Sequence, residues 1–274
     1  MNSSESKIRT EIVNGLSCRI SGDGPALIMI HGIISDSTFF EECQKWLSSF
    51  YTVISYDRRS YGNSTSVKYT DYTVRTQAED VAEIIRSLQL GSAYILGNSA
   101  GGLIGLELAI QHPSLVKGLL MIEPSLGYDP SEKNKLLGWN RLLNQHKEEG
   151  KYKQVLPLFS ELTGEARGSA EFSMAQMKRT YQNLSAFLNG ELNEVQHYLP
   201  SRERLKNITA PVAIAVTERG RDSFFATSSE SAAAIIGWPL YHLPGYHNTY
   251  KDFAPDAAVF THGIFCSMEK GLIS

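Results

Sequence analysis

The segment Gly97-Asn98-Ser99-Ala100-Gly101 places a serine in the pattern G-x-S-x-G. An apolar run at residues 93–97 leads into the segment, and a second at residues 103–110 follows it. A strand that turns sharply into a helix exposes the serine hydroxyl at the turn, and flanking glycines let the strand and the helix approach closely. This context predicts that Ser99 is a nucleophile rather than part of an ordinary glycine-rich turn.

A serine hydroxyl is a weak nucleophile and needs a base to take its proton. His247 is our candidate, because it follows the strand-like run 239–243 and lies in a glycine-containing loop. The neighbouring His242 is expected to lie inside that strand, where a structural role is more common. We therefore predict that His247 is the base for Ser99.

A carboxylate must orient this histidine and stabilise its charged form. Glu123 ends the strand-like run 118–122, whereas Glu218 and Asp222 follow the run 212–216. A glutamate at the buried end of a strand needs a partner, which the histidine would supply, although backbone N–H groups of a loop could also do so. All three give the chain order serine, acid, histidine, and the residues alone leave the choice open.

Continuous apolar runs, typical of buried strands, indicate the sheet that positions Ser99, His247 and the candidate acids. The runs cover residues 26–31, 51–56, 93–97, 118–122 and 212–216. Amphipathic stretches lie between them, of which the clearest begins near Asp71, its predicted cap. Two shorter strand-like runs flank Asn14-Gly15 and predict a hairpin. This alternation predicts an α/β fold with a mostly parallel central sheet and helices on both faces.

The alternation breaks between residues 126 and 206, a stretch rich in Glu, Lys, Asn and Gln that has a helical pattern only. We predict a core domain formed by residues 1–125 and 207–274, with residues 126–206 inserted as a helical cap. The cap is expected to roof the site, and its large apolar residues are candidates for lining the substrate pocket. These candidates are Trp139, Phe159, Met177 and Phe187.

The order and spacing of five segments resemble the α/β-hydrolase superfamily over nearly the whole chain. The segments are HGII at 31–34, YDRRSYGNS at 56–64, GNSAGG at 97–102, QHPSLVKGLLMIEP at 111–124 and LPGYHNTY at 243–250. The resemblance implies the α/β-hydrolase fold, a nucleophile elbow at Ser99 and an oxyanion hole. The hole would use the N–H of Ala100 and that of Gly32 or Ile33. Asp57 and Arg58 are expected to hold a tight turn together.

For the triad acid, the superfamily as a whole and a narrower branch of it imply different residues. The superfamily usually takes its acid from the position after the later strand, which favours Asp222. The run IEPSL at 122–126, after GLLM, resembles the zearalenone lactonase branch and related hydrolases, in which the glutamate at this place is the acid. This narrower resemblance favours Glu123.

The resemblance implies a serine esterase or lactonase that acts through an acyl-enzyme, and the aromatic-rich helical cap favours a small apolar or aromatic substrate. The sequence has no P-loop, dinucleotide-binding motif or metal-ligand cluster, so no cofactor and no metal are expected. The same scaffold also supports C–C bond hydrolases, hydroxynitrile lyases, cofactor-free dioxygenases and ligand-binding receptors with a vestigial triad. Dehalogenases are disfavoured, because they place an aspartate where Ser99 lies.

Composition and charge exclude several other classes. The formal net charge of −3 lacks the basic excess typical of nucleic-acid binding. Three widely spaced cysteines, Cys18, Cys43 and Cys266, do not predict a disulfide framework or a zinc site. The polar N-terminus and the absence of a long apolar run predict a soluble, cytoplasmic protein without a membrane span. A homodimer is compatible with the sequence.

Overall fold

A computed structural model describes residues 7–68, 71–163 and 174–273. The strands within these residues form a single sheet. They are β1 (Arg9–Val13), β2 (Leu16–Ser21), β3 (Ala26–Ile30), β4 (Thr52–Tyr56), β5 (Ala93–Asn98), β6 (Val116–Ile122), β7 (Val212–Thr217) and β8 (Leu240–Leu243). Their spatial order is β1-β2-β4-β3-β5-β6-β7-β8. The hairpin of β1 and β2 is antiparallel and pairs antiparallel with β4, whereas every pairing from β4 to β8 is parallel. The mostly parallel sheet is therefore confirmed.

Helices connect these strands and cover both faces of the sheet. They are α1 (Glu41–Leu47), α2 (Val74–Ser87), α3 (Ala100–Gln111), α4 (Pro130–Glu148), α5 (Tyr152–Thr163), α6 (Met174–Ala186), α7 (Leu192–His197), α8 (Arg202–Leu205), α9 (Phe224–Ile236), α10 (Thr249–Asp252) and α11 (Ala254–Glu269). A π-helical turn, Phe187–Glu191, joins α6 to α7, and short 3₁₀ turns cover Ser37–Phe40 and Pro113–Leu115. None of the helices in the described ranges is long and apolar enough to cross a membrane.

Strand β3 shows how the sheet separates two apolar layers. Leu27 and Met29 pack on one face with side chains of α1 and α11. Ile28 and Ile30 pack on the other face with side chains of α2, α3 and α9. Because successive side chains of a strand point to opposite faces, a strand buried on both faces must be apolar at every position. The continuous apolar runs of the sequence thus correspond to the central strands.

Between β6 and β7, the described residues form α4 to α8, the π-helical turn and connecting loops, without a strand. Leu143, Leu184 and Phe187 from this insertion are buried in the same apolar cluster as α2 and α3. The insertion therefore packs on the α2–α3 side of the sheet. Its definition as a separate cap domain stays a prediction.

The residue predicted to cap the N-terminus of α2, Asp71, is wrong by two positions. The helix begins at Val74, and the hydroxyl of Thr73 accepts a hydrogen bond from the Thr76 N–H at 3.0 Å. Asp71 lies before the helix, where its own N–H donates to the carbonyl of Lys68. Threonine and aspartate are both good N-cap residues. Thr73 takes the role because it directly precedes Val74, the first apolar residue of the helix.

Candidate active site

Ser99 lies at the junction of β5 and α3, with φ = 53° and ψ = −122°. Positive φ is unfavourable for a non-glycine residue and persists only where the surrounding structure enforces it. Here the Ser99 N–H donates to the carbonyl of Ile122 at 2.8 Å, and the Ser99 carbonyl accepts from the Gly102 N–H at 2.9 Å. The turn has the strand–turn–helix geometry that the G-x-S-x-G pattern predicts.

The two motif glycines are required by close backbone contacts. A Cβ atom on Gly97 would lie 2.3 Å from the carbonyl oxygen of Gly101, and one on Gly101 would lie 2.0 Å from that of Ile30. Both distances are far below van der Waals contact, so a side chain at Gly97 would force β5 away from α3, and one at Gly101 would force α3 away from β3. The glycines therefore determine where the Ser99 turn lies relative to β3.

Glu123 and His247 form a buried hydrogen bond, with 2.5 Å between Oε2 of the carboxylate and Nδ1 of the ring. Glu123 directly follows β6 and has no exposed surface, and His247 is 7% exposed. The other carboxylate oxygen accepts from the N–H of Thr217 at 2.8 Å and from its hydroxyl at 2.6 Å. Both oxygens of Glu123 are thereby fixed in position.

These contacts keep Glu123 ionised. Burial by itself raises the pKa of the Glu123 carboxyl, but the hydrogen bond and charge of His247 and the two bonds from Thr217 outweigh it. The net pKa lies below its ordinary value. Asp222 and Glu218, the alternative acids, are both exposed, and it is Glu123 that the fold brings to His247.

The ring of His247 is also held on its face. Phe225, in the first turn of α9, stacks on the imidazole with ring centroids 4.6 Å apart and an angle of 25° between the planes. When Nδ1–H donates to Glu123, the neutral ring carries its lone pair on Nε2. His242 lies in β8 and is exposed, as expected for a strand residue.

Gly32 lies directly against Ser99. A Cβ atom on Gly32 would be 3.1 Å from the Ser99 Cβ and 3.6 Å from its Oγ. The Gly32 carbonyl accepts from Nδ1 of His31 at 2.8 Å and from Nη2 of Arg58 at 2.9 Å. Two donors thus fix the orientation of the peptide group that joins Gly32 to Ile33.

His31 is a neutral organiser of this loop. Its Nε2 accepts a hydrogen bond from the backbone N–H of Arg58 at 3.1 Å, so the proton is on Nδ1. Burial, together with the positive charge of Arg58, lowers the pKa of His31 to about 3. The ring therefore stays uncharged at neutral pH and keeps both contacts.

Arg58 connects this loop to the helical insertion. Its guanidinium, 1% exposed, forms an ion pair with Glu191 of the π-helical turn, which is fully buried. Tyr61 and Gln77 also donate to the Glu191 carboxylate. One buried network therefore links the Gly32 carbonyl, the turn after β4, helix α2 and the insertion.

A cavity opens beside Ser99 and Ala100. Its apolar walls include Ile33, Leu103, Leu136, Trp139, Val195 and Phe225. The space measures about 420 Å³, including its open mouth.

Comparison with known proteins identifies the family of the chain. The family model for the alpha/beta hydrolase fold matches residues 25–209. The chain belongs to this family. It is 26% identical over 237 residues to the uncharacterized hydrolase YraK of Bacillus subtilis (strain 168), a match that covers 85% of each chain. It is 30% identical to fluoroacetate dehalogenase of Burkholderia sp over 112 residues, which are 39% of this chain and 37% of the relative.

A solved esterase, EaEST from Exiguobacterium antarcticum, has the same fold as this α/β-hydrolase. The two superpose with a TM-score of 0.72 at 20% identity, covering 94% of this chain and 98% of the esterase. The relatives and structural neighbours are hydrolases that act on several kinds of bond. The chain is thus a hydrolase by family. The bond that it cleaves must be inferred from the residues of its own site.

The four predicted pocket residues of the hydrolase do not share one location. Trp139 lines the cavity. Phe187, in the π-helical turn, is instead fully buried in the apolar cluster with α2 and α3. The side chains of Phe159 and Met177 lie outside the described residues.

Three contributors to the site of this hydrolase were not predicted as such. Thr217 fixes the Glu123 carboxylate, Phe225 stacks on the His247 ring, and Glu191 anchors Arg58. The sequence predicts a role for Arg58 only in its own turn. Thr217 and Phe225 flank the segment that contains the alternative acids Glu218 and Asp222. Their place in the sequence therefore indicates only weakly that they lie near the site. Glu191 is 133 residues from Arg58, and no local pattern indicates that they meet.

The Arg58–Glu191 ion pair gives a prediction for stability. Glu191→Ala should lower the free energy of unfolding by about 3–5 kcal/mol, because it leaves the Arg58 charge buried and unpaired. Urea unfolding, followed by circular dichroism, measures the change. Glu203→Ala is the matched control: it removes an exposed pair with Lys206 and should change the stability by less than about 0.5 kcal/mol. Equal effects of the two substitutions would contradict the prediction.

Proposed function

We propose that this hydrolase cleaves an ester or lactone bond of a small apolar or aromatic substrate through an acyl-enzyme on Ser99. The observation that supports the proposal most directly is the buried hydrogen bond between Glu123 and Nδ1 of His247. Ser99 and Phe225, which stacks on His247, line the same cavity. In this proposal Ser99 is the nucleophile, His247 the base and Glu123 the acid, as in the lactonase-like branch that the sequence resembles.

The reaction has two steps. Ser99 Oγ attacks the carbonyl carbon while His247 Nε2 takes the hydroxyl proton, and the resulting imidazolium is stabilised by the Glu123 carboxylate. Collapse of the tetrahedral intermediate breaks the bond to the alcohol oxygen, which receives the proton from His247. Water then attacks the acyl-enzyme with His247 again acting as base, and Ser99 is released.

The oxyanion hole would use the N–H groups of Ile33 and Ala100. In a trans peptide the N–H points opposite to the carbonyl. Because His31 and Arg58 hold the Gly32 carbonyl, the N–H of Ile33 points away from them, toward the other side of the loop. Of the two predicted donors in this loop, this favours Ile33 over Gly32. His31 and Arg58 are then positioning residues.

The experiment is covalent labelling with an organophosphate, diethyl 4-nitrophenyl phosphate. The wild type should gain one diethylphosphoryl group on the peptide that contains Ser99, seen by mass spectrometry, and release one equivalent of nitrophenol. The same protein should hydrolyse members of a panel of 4-nitrophenyl esters and aromatic lactones. Ser99→Ala should show neither labelling nor turnover.

The control is Ser49→Ala, which changes an exposed serine of the loop after α1 and should be labelled like the wild type. A wild type that is neither labelled nor active on any panel member would exclude Ser99 as a nucleophile. The lyase, dioxygenase and receptor alternatives would then have to be tested.

A further inference from the structure

Besides Ser99, two polar side chains interrupt the apolar walls of the cavity, Ser125 and Gln196. Ser125 lies two residues after Glu123, at the start of the insertion, and Gln196 lies on α7. They reach the cavity from two different elements. Neither has a role in the two steps described above.

Each of these side chains has a buried polar atom without a hydrogen-bond partner among the described residues. The atoms are Oγ of Ser125 and Oε1 of Gln196. Ser125 is 9% exposed. Buried polar atoms in proteins are almost always paired, so two unpaired atoms in one cavity indicate that a ligand supplies the missing partners.

The chemistry of the two atoms restricts that ligand. An amide oxygen only accepts hydrogen bonds, whereas a serine hydroxyl both donates and accepts. The group that pairs with Gln196 must therefore be a donor, such as a hydroxyl or an N–H. None of the cavity-lining residues in the described ranges is charged, so a carboxylate or a phosphate would find no counter-ion there.

We propose that the substrate is a neutral ester or lactone carrying a hydroxyl or N–H group, which Gln196 Oε1 and Ser125 Oγ bind in the cavity. This inference rests on the proposed function for the nature of the bond that is cleaved. It makes Gln196 and Ser125 specificity-determining residues. A substrate without the donor leaves Gln196 Oε1 unpaired, and sites built around a hydrogen bond discriminate strongly against such analogues.

The test compares two probes that differ only in the donor, 2-phenylethanol and its methyl ether. Their dissociation constants are measured by calorimetry with the wild type, Gln196→Leu and Ser125→Ala. The wild type should bind the alcohol about tenfold or more tightly than the ether, as expected for one buried hydrogen bond. Gln196→Leu should bind both probes about equally, through a weaker affinity for the alcohol. Ser125→Ala should weaken the binding of both probes, because the Ser125 hydroxyl can donate to the oxygen of either one.

Glu194→Leu is the control, because it places the same side chain on the exposed side of α7 and should keep the preference for the alcohol. Equal affinities in the wild type, undetectable binding of the alcohol, or an unchanged preference in Gln196→Leu would each overturn the proposal. Neither probe has an acyl group, so the result does not depend on nucleophilic attack by Ser99. A failure here is thus distinct from a failure of the labelling experiment.

Discussion

Ser99→Ala should lower kcat on any ester that the wild type hydrolyses by about 10⁶-fold, and His247→Ala should do the same. The two residues act as a unit: without the base the hydroxyl is not activated, and without the hydroxyl the base has nothing to deprotonate. The double variant should therefore be no slower than either single variant. Initial rates with 4-nitrophenyl butanoate, measured at saturating ester, give the three values.

The matched control for the base is His242→Ala, a change at the exposed histidine of β8 that should leave kcat within about threefold of the wild type. Thermal melting of each variant separates loss of catalysis from loss of folding. A Ser99→Ala protein that kept more than about a hundredth of the wild-type kcat would contradict nucleophilic catalysis, since binding and the oxyanion hole alone supply far less.

Glu123→Gln should lower kcat by about 10⁴-fold, whereas Asp222→Asn should leave it nearly unchanged. The glutamine oxygen can still accept the two hydrogen bonds of Thr217, so the fold around it is preserved. Its NH₂ group, however, faces Nδ1 of His247, which must then accept instead of donate. The proton moves to Nε2, and the ring can no longer deprotonate Ser99.

The two acids are compared under the same conditions as the serine variants, with kcat as the readout. A larger loss for Asp222→Asn than for Glu123→Gln would assign the acid to the position after β7 and would contradict the role proposed for Glu123. Equal small losses would show that neither carboxylate orients His247.

The sequence indicates those parts of the fold that depend on local patterns. Continuous apolar runs predict the central strands, because a strand between two helical layers has no polar face. The glycines around Ser99 predict the sharp turn. Gly97 lies too close to the backbone of Gly101 for a Cβ atom, and Gly101 lies too close to that of Ile30. Even within local patterns the prediction fails where two residues can play one role, as with Asp71 and Thr73 at the start of α2.

Contacts between distant segments have no such signal. The partners of Glu123 come from β7 and from the loop after β8, and the ion pair of Arg58 reaches into the insertion. The choice of Glu123 rested on resemblance and on the need of a buried carboxylate for a partner, while Thr217 entered no argument. Phe187 shows a second limit of sequence patterns, because a large apolar side chain has the same pattern whether it lines a pocket or fills the core.

The insertion between β6 and β7 also determines the order in which the site is completed during synthesis. The serine turn and Glu123 are translated first, and His247 follows Glu123 by 124 residues. Until β7 (Val212–Thr217) has been made, β6 has no strand on that side and presents an unpaired edge, which invites association with other nascent chains. Closing so long a loop also slows folding. A chain truncated before β7 therefore has the serine turn but lacks Thr217 and His247, and its unpaired β6 edge favours aggregation.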